Sequence, residues 1–185
     1  NAALNHPATA SSTENATTEP ASAAFDGNTG TRWSSAFSDP QCIEVDLGTT
    51  QAVCGVQLNW ETASGKAFQI QTSTDNTNWT SIYSTTTGAG GTETLNVSGT
   101  GRYIRVYGTA RNTQYGYSLW ELQVFGSTSG TTCGTTNLAL NQPATASSVE
   151  NAGTPASAAV DGNTGTRWSS QFSDPQWLQV DLGST

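Results

Sequence analysis

The chain has 185 residues, only 11 % of them charged, and a formal net charge of −8. Six Lys and Arg over this length exclude the clustered cations that a nucleic-acid partner or an anionic membrane surface requires. Six Trp, five Tyr and five Phe supply a core and exclude a disordered chain, and no apolar run approaches the roughly 20 residues of a membrane helix.

Residues 1–40 are rich in Ala, Ser and Thr and read as loops wrapped over one end of a sheet. Strands are predicted at Ile43–Leu47, Val53–Asn59, Ala67–Thr72, Trp79–Tyr83, Thr92–Val97, Tyr103–Tyr107 and Leu119–Phe125. Several alternate apolar and polar positions, as in Val56, Leu58 and in Phe68, Ile70. Turn residues separate them at Asp75-Asn76, Gly88–Gly91 and Gly99–Gly101. Many short strands at this spacing predict an all-β chain, an antiparallel β-sandwich of jelly-roll type.

Cys42 and Cys54 lie on two adjacent apolar runs. Their placement suits a disulfide or two buried thiols equally. Cys133, in a Gly/Ser/Thr stretch, is either unpaired or a partner for a cysteine outside this chain. None of the three has zinc-site spacing. Asn1 without an initiating Met reads as a mature N-terminus, which points to a secreted, extracellular protein.

Self-comparison gives the strongest signal. Residues 5–15, NHPATASSTEN, return as NQPATASSVEN at 141–151. Residues 20–41, PASAAFDGNTGTRWSSAFSDPQ, return as PASAAVDGNTGTRWSSQFSDPQ at 155–176. The offset is 136 residues before a one-residue deletion and 135 after it, so the unit is a domain. Residues 1–126 form a complete copy, 127–136 a small, polar linker, and 137–185 the N-terminal part of a second copy. A partial sandwich leaves its inner face uncovered, so completion of the second copy by another chain is one expectation.

The order ASSxEN, PASAAFDGNTGTRWSS, DPQ-x-I-x-VDLG, VQLNWE, FQIQTSTDNTNWTSIY and GYSLWELQVFG resembles the discoidin-type domains, also called coagulation factor five/eight C-type domains. The wording is most similar to the bacterial family 32 carbohydrate-binding modules. The resemblance implies an eight-stranded β-sandwich of the galactose-binding-domain kind. It also implies a noncatalytic module attached to a secreted glycoside hydrolase. One departure is visible: Cys42 stands in DPQCIEVDLG where the second copy has Trp177.

The loop from Ala23 to Thr31 is rich in oxygen donors. Asp26, Asn28, Thr31 and the backbone carbonyl of Ala23 could serve a hard cation such as Ca²⁺, whereas an Asx-rich turn needs no metal at all. The resemblance implies a structural calcium ion here, closed by Glu121 on the last strand. Trp33 is expected to plug the core. Sugar recognition needs an aromatic ring against the C–H face and polar groups for the hydroxyls, placed on loops. Loop candidates are Glu14, Phe37, Glu61, Lys66, Tyr115 and Tyr117. The resemblance assigns the stacking ring to the loop that carries Tyr115 and Tyr117.

Glu14 and Glu61 could imitate a glycosidase pair, but nothing else in the chain forms acid–base machinery or a deep cleft. His6 is the only histidine and the second copy has Gln142 in its place, which excludes a histidine-based triad or metal centre. The expected partner is therefore a polysaccharide or oligosaccharide. The acids and the scarcity of cations favour an amino sugar such as chitosan, with neutral glucans and galactosides open. The second copy suggests an alternative, a repeat module for adhesion or chain-to-chain assembly.

Overall fold

Ile43, Val45 and Leu47 alternate with Cys42, Glu44 and Asp46, so one side of this segment can be wholly apolar. In the computed structural model that side is buried, and the pattern resumes at Val56, Leu58 and Trp60 within the same strand. Residues 1–127, 137 and 139–183 are described. The chain forms two compact units, Asn1–Cys133 and Gly134–Thr185. The proposed linker beyond Ser127, and Cys133 within it, lie outside the described residues.

The first unit is built from β1 (Ala8–Ala10), β2 (Trp33–Ser34), β3 (Gln41–Trp60), β4 (Gly65–Ser73), β5 (Thr80–Thr85), β6 (Thr92–Arg111) and β7 (Ser118–Ser127). All pair antiparallel in the order β2-β7-β3-β6-β4-β5, with β1 also on β3. Strands β3 and β6 pair along almost their whole length. The first half of β3 lies between β1 and the second half of β6, while its second half lies between β7 and the first half of β6. The two long strands thereby belong to both layers of a sandwich, closed around Phe25, Trp33, Ile43, Val45, Leu58, Phe68, Ile70, Ile104, Leu119 and Leu122. Trp33 is 1 % exposed, and its indole N–H donates to the Ser12 carbonyl at 3.0 Å.

Three expectations change. The predicted pairs of strands at 43–59 and 92–107 are two continuous strands of 20 residues each, β3 and β6. Their register shifts between Asp46 and Gln51 and between Val53 and Gly55, so the chain bends by bulges instead of turning back. Gly99 and Gly101 accordingly sit inside β6. A Cβ on Gly99 would lie 2.6 Å from Ile82 Cγ2, which makes this glycine a concession to packing and not a turn residue. Residues 1–40 are not wholly loop, since β1 pairs Ala8 with Val45 and β2 pairs Trp33 with Leu119. Segments this short carry no periodicity to read. Cys54 is disulfide-bonded and Cys42 is a free thiol, so the two do not pair.

The second unit repeats local details of the first. β8 (Ala144–Ala146) pairs with β9 (Leu178–Val180), with Ala144 opposite Val180 as Ala8 is opposite Val45. The indole N–H of Trp168 donates to Ser148 O at 3.0 Å, as that of Trp33 does to Ser12. Burial does not repeat, because Trp168 is only half-buried. The tryptophan therefore contributes differently in the two units. Trp33→Ala is expected to cost about 3–5 kcal/mol, read as a lower urea midpoint of the first unit. Trp168→Ala is expected to cost clearly less in the same measurement.

Candidate functional site

Strands β2, β3 and β7 meet at one end of the first unit, where Trp33 pairs with Leu119 and Trp60 also pairs with Leu119. Loops leaving this end enclose an open cavity of about 420 Å³. Glu14, Phe37, Glu61 and Tyr115 line it, with Arg32, Ser34 and Ala63. Four of the six loop candidates thus share one concavity although they come from four separate segments.

Each is held by local bonds. The Glu14 amide donates to Ser34 O at 2.7 Å, and Ser34 Oγ donates to Glu14 Oε2 at 2.9 Å, which ties the first loop to β2. The Glu61 amide donates to Ser118 O at 3.0 Å. Glu61 Oε2 accepts the Ala63 amide at 2.8 Å. Burial pushes the Glu61 carboxyl up, but the Ala63 and Thr62 amides, the Thr62 hydroxyl and the Arg32 guanidinium outweigh it and hold it below its ordinary 4.5. Glu61 is thus a fixed anion in the cavity wall.

Phe37 and Tyr115 are 51 % and 52 % exposed, and their rings meet edge to face with centroids 5.9 Å apart. Two polar bridges bring their loops together. Ser35 and Tyr117 are joined by two bonds, one between backbones, with Ser35 N donating to Tyr117 O at 2.9 Å, and one to a side chain, with Tyr117 N donating to Ser35 Oγ at 2.8 Å. Asp39 accepts from Arg111 Nε at 3.2 Å and from the Tyr117 hydroxyl. Arg111 Nη1 in turn donates to Gln114 O at 3.2 Å and Tyr115 O at 2.9 Å. The approach is tight: a Cβ on Gly116 would lie 2.3 Å from Ser35 O. The Asp39 carboxylate therefore sets where both rings stand.

Two candidates fall outside the cavity. Tyr117 is 2 % exposed and belongs to the core, so its ring cannot stack on a surface ligand. Burial, together with the Asp39 carboxylate, pushes its phenol well above the ordinary range. Lys66 is exposed on β4, one residue past the loop, and does not line the cavity. Arg32, Ser34 and Ala63 line it without having been singled out from the sequence, where Trp33 drew attention away from its neighbour Arg32. Asp39 was missed too, although an acid after Phe37 and a facing Arg111 were both visible.

The oxygen-rich loop lies elsewhere on this unit. Asp26 Oδ1 accepts the Asn28 amide at 2.8 Å, and the Thr31 hydroxyl lies 2.7 Å from Asp26 Oδ2 and 2.9 Å from Asn28 O. Ala23, Asp26 and Thr31 share one concavity. Glu121 is 3 % exposed, and neither carboxylate oxygen has a hydrogen-bond partner. Its carboxyl is raised above 4.5, chiefly by burial and further by the nearby Asp26 charge, while the Gly27 and Asn28 amides oppose this without making hydrogen bonds. Among the described residues no group of three or more His, Cys, Asp or Glu is placed to hold a metal. Any cation here would depend on neutral oxygens beside Asp26 and Glu121.

Residues 7–122 and 143–185 match the F5/8 type C domain. The chain belongs to this family. No curated protein matches it. Among solved structures it is similar to chitosan-binding module 1 of a chitosanase/glucanase from Paenibacillus sp. IK-5, with 53 % identity over 68 % of this chain and 98 % of that one, at a TM-score of 0.65. Module 2 of the same enzyme, solved in complex with chitotriose, shows 47 % identity over 68 % of this chain and 100 % of that one, at a TM-score of 0.66. The family 32 module of Clostridium perfringens NanJ, solved in complex with galactose, shows 25 % identity over 65 % and 93 %, at a TM-score of 0.56.

Asp39→Ala would leave the Tyr117 hydroxyl and Arg111 Nε without their acceptor. It is expected to cost about 1–3 kcal/mol in chemical denaturation. It is also expected to remove the Phe37–Tyr115 ring contact, seen as a loss of mutual ring-current shifts in the NMR spectrum.

Proposed function

We propose that the first unit is a noncatalytic carbohydrate-binding module that takes amino-sugar oligosaccharides, chitosan above all. The single observation that carries this is the cavity in which two acids, Glu14 and Glu61, stand beside two exposed rings, Phe37 and Tyr115. A sugar's C–H face would pack on a ring, and its protonated amine would lie against carboxylates held by Ser34 and by the Ala63 amide. The chitosan-binding modules similar to this chain support the reading. The module would tether a secreted polysaccharide-acting enzyme to its substrate. A second competent copy would add avidity across the linker.

Titration with glucosamine oligomers, followed by amide chemical shifts, tests this. Shifts are expected at Glu14, Phe37, Glu61 and Tyr115, and their absence would overturn the reading. Glu61→Gln removes a charge-assisted contact worth about 1.5–3 kcal/mol, and binding should weaken roughly tenfold or more. The pH dependence has a definite sign. The Glu61 carboxyl is held below its ordinary 4.5, so binding should survive mild acid, be lost as the pH falls on through that lowered value, and fall on the other side as rising pH removes the ligand's ammonium proton. Calorimetric titrations at several pH values check it.

We also infer a structural calcium ion at the Asp26–Thr31 loop. Asp26 and Glu121 would supply the charged oxygens, and the Ala23 and Asn28 carbonyls and the Thr31 hydroxyl the neutral ones, a donor set that a hard cation accepts. The unpartnered, buried Glu121 carboxylate motivates this. Calcium at about 100 times its Kd should add about 2.7 kcal/mol to stability, seen as a rise in Tm that EDTA reverses. In Glu121→Gln that rise should vanish, while the metal-free variant is no less stable than the metal-free parent.

A further inference from the structure

Strand β3 turns Cys42, Glu44 and Asp46 outward where Ile43, Val45 and Leu47 face the core. Pairing sets Glu44 opposite Arg105 and Asp46 opposite Tyr103 on β6, and Thr9 of β1 opposite Glu44. A concavity of about 270 Å³ opens on this outer face. Pro7, Thr9, Glu44, Asp46, Asn76 and Tyr103 line it, and none of them lines the strand-end cavity. Asn76 reaches it from the turn between β4 and β5, where its φ is 59°. Asp75 holds that turn, its Oδ1 accepting the Thr77 amide at 2.9 Å and the Asn78 amide at 2.8 Å.

The polar groups here are held in place but not used up. Glu44 Oε1 accepts the Thr9 hydroxyl at 2.9 Å and the Asn76 side-chain amide at 3.2 Å, while among the described residues nothing donates to Oε2. Arg102 grips Asp46 at two points, Nε to Oδ1 and Nη2 to Oδ2, each at 2.7 Å. This grip, with the Gly48 amide, holds the Asp46 carboxyl below its ordinary 3.8 although burial pushes the other way. The Arg102 guanidinium carbon also lies 5.1 Å from the centre of the Tyr103 ring, so ion pair and ring stand as one block. Arg105 is stacked on Trp79 at 4.0 Å, and its Nε donates to Gln71 Oε1 at 2.6 Å. Each acid thus has an arginine beside it or opposite it, and their charges cancel locally. A charged ligand gains little from such a site. A neutral sugar gains a ring for its C–H face and oxygen and amide partners for its hydroxyls. We propose that this concavity is a second carbohydrate site, which takes a neutral hexose residue against the Tyr103 ring with its hydroxyls on Glu44 and Asn76. The second copy supports neutral recognition. Gln179 stands opposite Thr145 there as Glu44 stands opposite Thr9, which keeps hydrogen bonding at this position and drops the charge. The site differs from the amino-sugar cavity in place and in charge, and does not rest on that reading.

The test titrates the full chain with cellotriose, laminaritriose and galactose in turn, followed by amide chemical shifts. At least one of the three is expected to shift Thr9, Glu44, Asn76 and Tyr103 together. Because these ligands carry no charge, affinity should be the same at low and high salt. Tyr103→Ala should weaken binding roughly three- to tenfold, and Tyr103→Phe should bind as the parent does, since the ring makes the contact. Glu44→Ala, a change outside the core, should weaken it roughly tenfold through the lost hydroxyl contact. Thermal melts and the unshifted remainder of the spectrum report whether each variant folds. The proposal is overturned if none of the three sugars moves these resonances, or if shifts fall only at Glu14, Phe37, Glu61 and Tyr115. It is equally overturned if a folded Tyr103→Ala or Glu44→Ala binds as tightly as the parent. A glucosamine trimer titrated into the same chain tests the strand-end cavity on that cavity's own resonances, so either site can fail without the other.

Discussion

The site depends on the pairing of β3 with β6 across both layers of the sandwich. The ladder fixes Gln41 opposite Gly108 at one limit and Asn59 opposite Thr92 at the other. Trp60 then ends β3 against Leu119, and Glu61 leaves the sheet beside Ser118. The same ladder carries β6 on to Arg111, which reaches back to Asp39. Residues far apart in the chain arrive at one rim because each strand's length is counted against the other's. The bulges belong to this arrangement, since they let one strand bend from layer to layer without losing its partner.

Within that frame the unit handles carboxylates in two opposite ways. Glu61 is given donors and a cation, so its charge is stable at the surface of a cavity. Glu121 is given burial and an acidic neighbour, so its charge is destabilised. An unpaired buried carboxylate is costly and calls for a compensating positive charge. Glu61 keeps its charge in the wall of a cavity open to solvent. Glu121 lies inside the unit on β7, beside the Asp26 loop.

What was legible in the sequence follows from which signals are local. The inward faces of β3 and β4 were readable because alternation is a property of a few neighbouring residues. The continuity of β3 and β6 was not, because Gly99 and Gly101 have the composition of a turn while serving the packing of Ile82 and Thr72. Strands β1 and β2 escaped because two or three residues have no period. Glu14, Phe37, Glu61 and Tyr115, which the fold gathers around one cavity, stand out in the sequence because acids and rings in loops are conspicuous. Tyr117 was misplaced because only the fold shows that Gly116 presses against Ser35 and sends the next side chain inward. Lys66 was misplaced by a single residue, since β4 starts at Gly65.

Arg32 is the instructive omission. In an isolated sequence a lone arginine beside a core tryptophan has no visible task. Its partner is thirteen positions earlier, on a turn fixed by Asn15. Only the fold brings Glu19 behind the cavity wall. The one-residue deletion that separates the two copies falls in this turn, and the second copy has Thr154 where the first has Glu19. The change leaves the strand pairing and the Asp-Gly-Asn loop of the second copy intact. The strand pairing and the ion pair of Arg32 are set by different segments of the chain, so the second can change while the first is preserved.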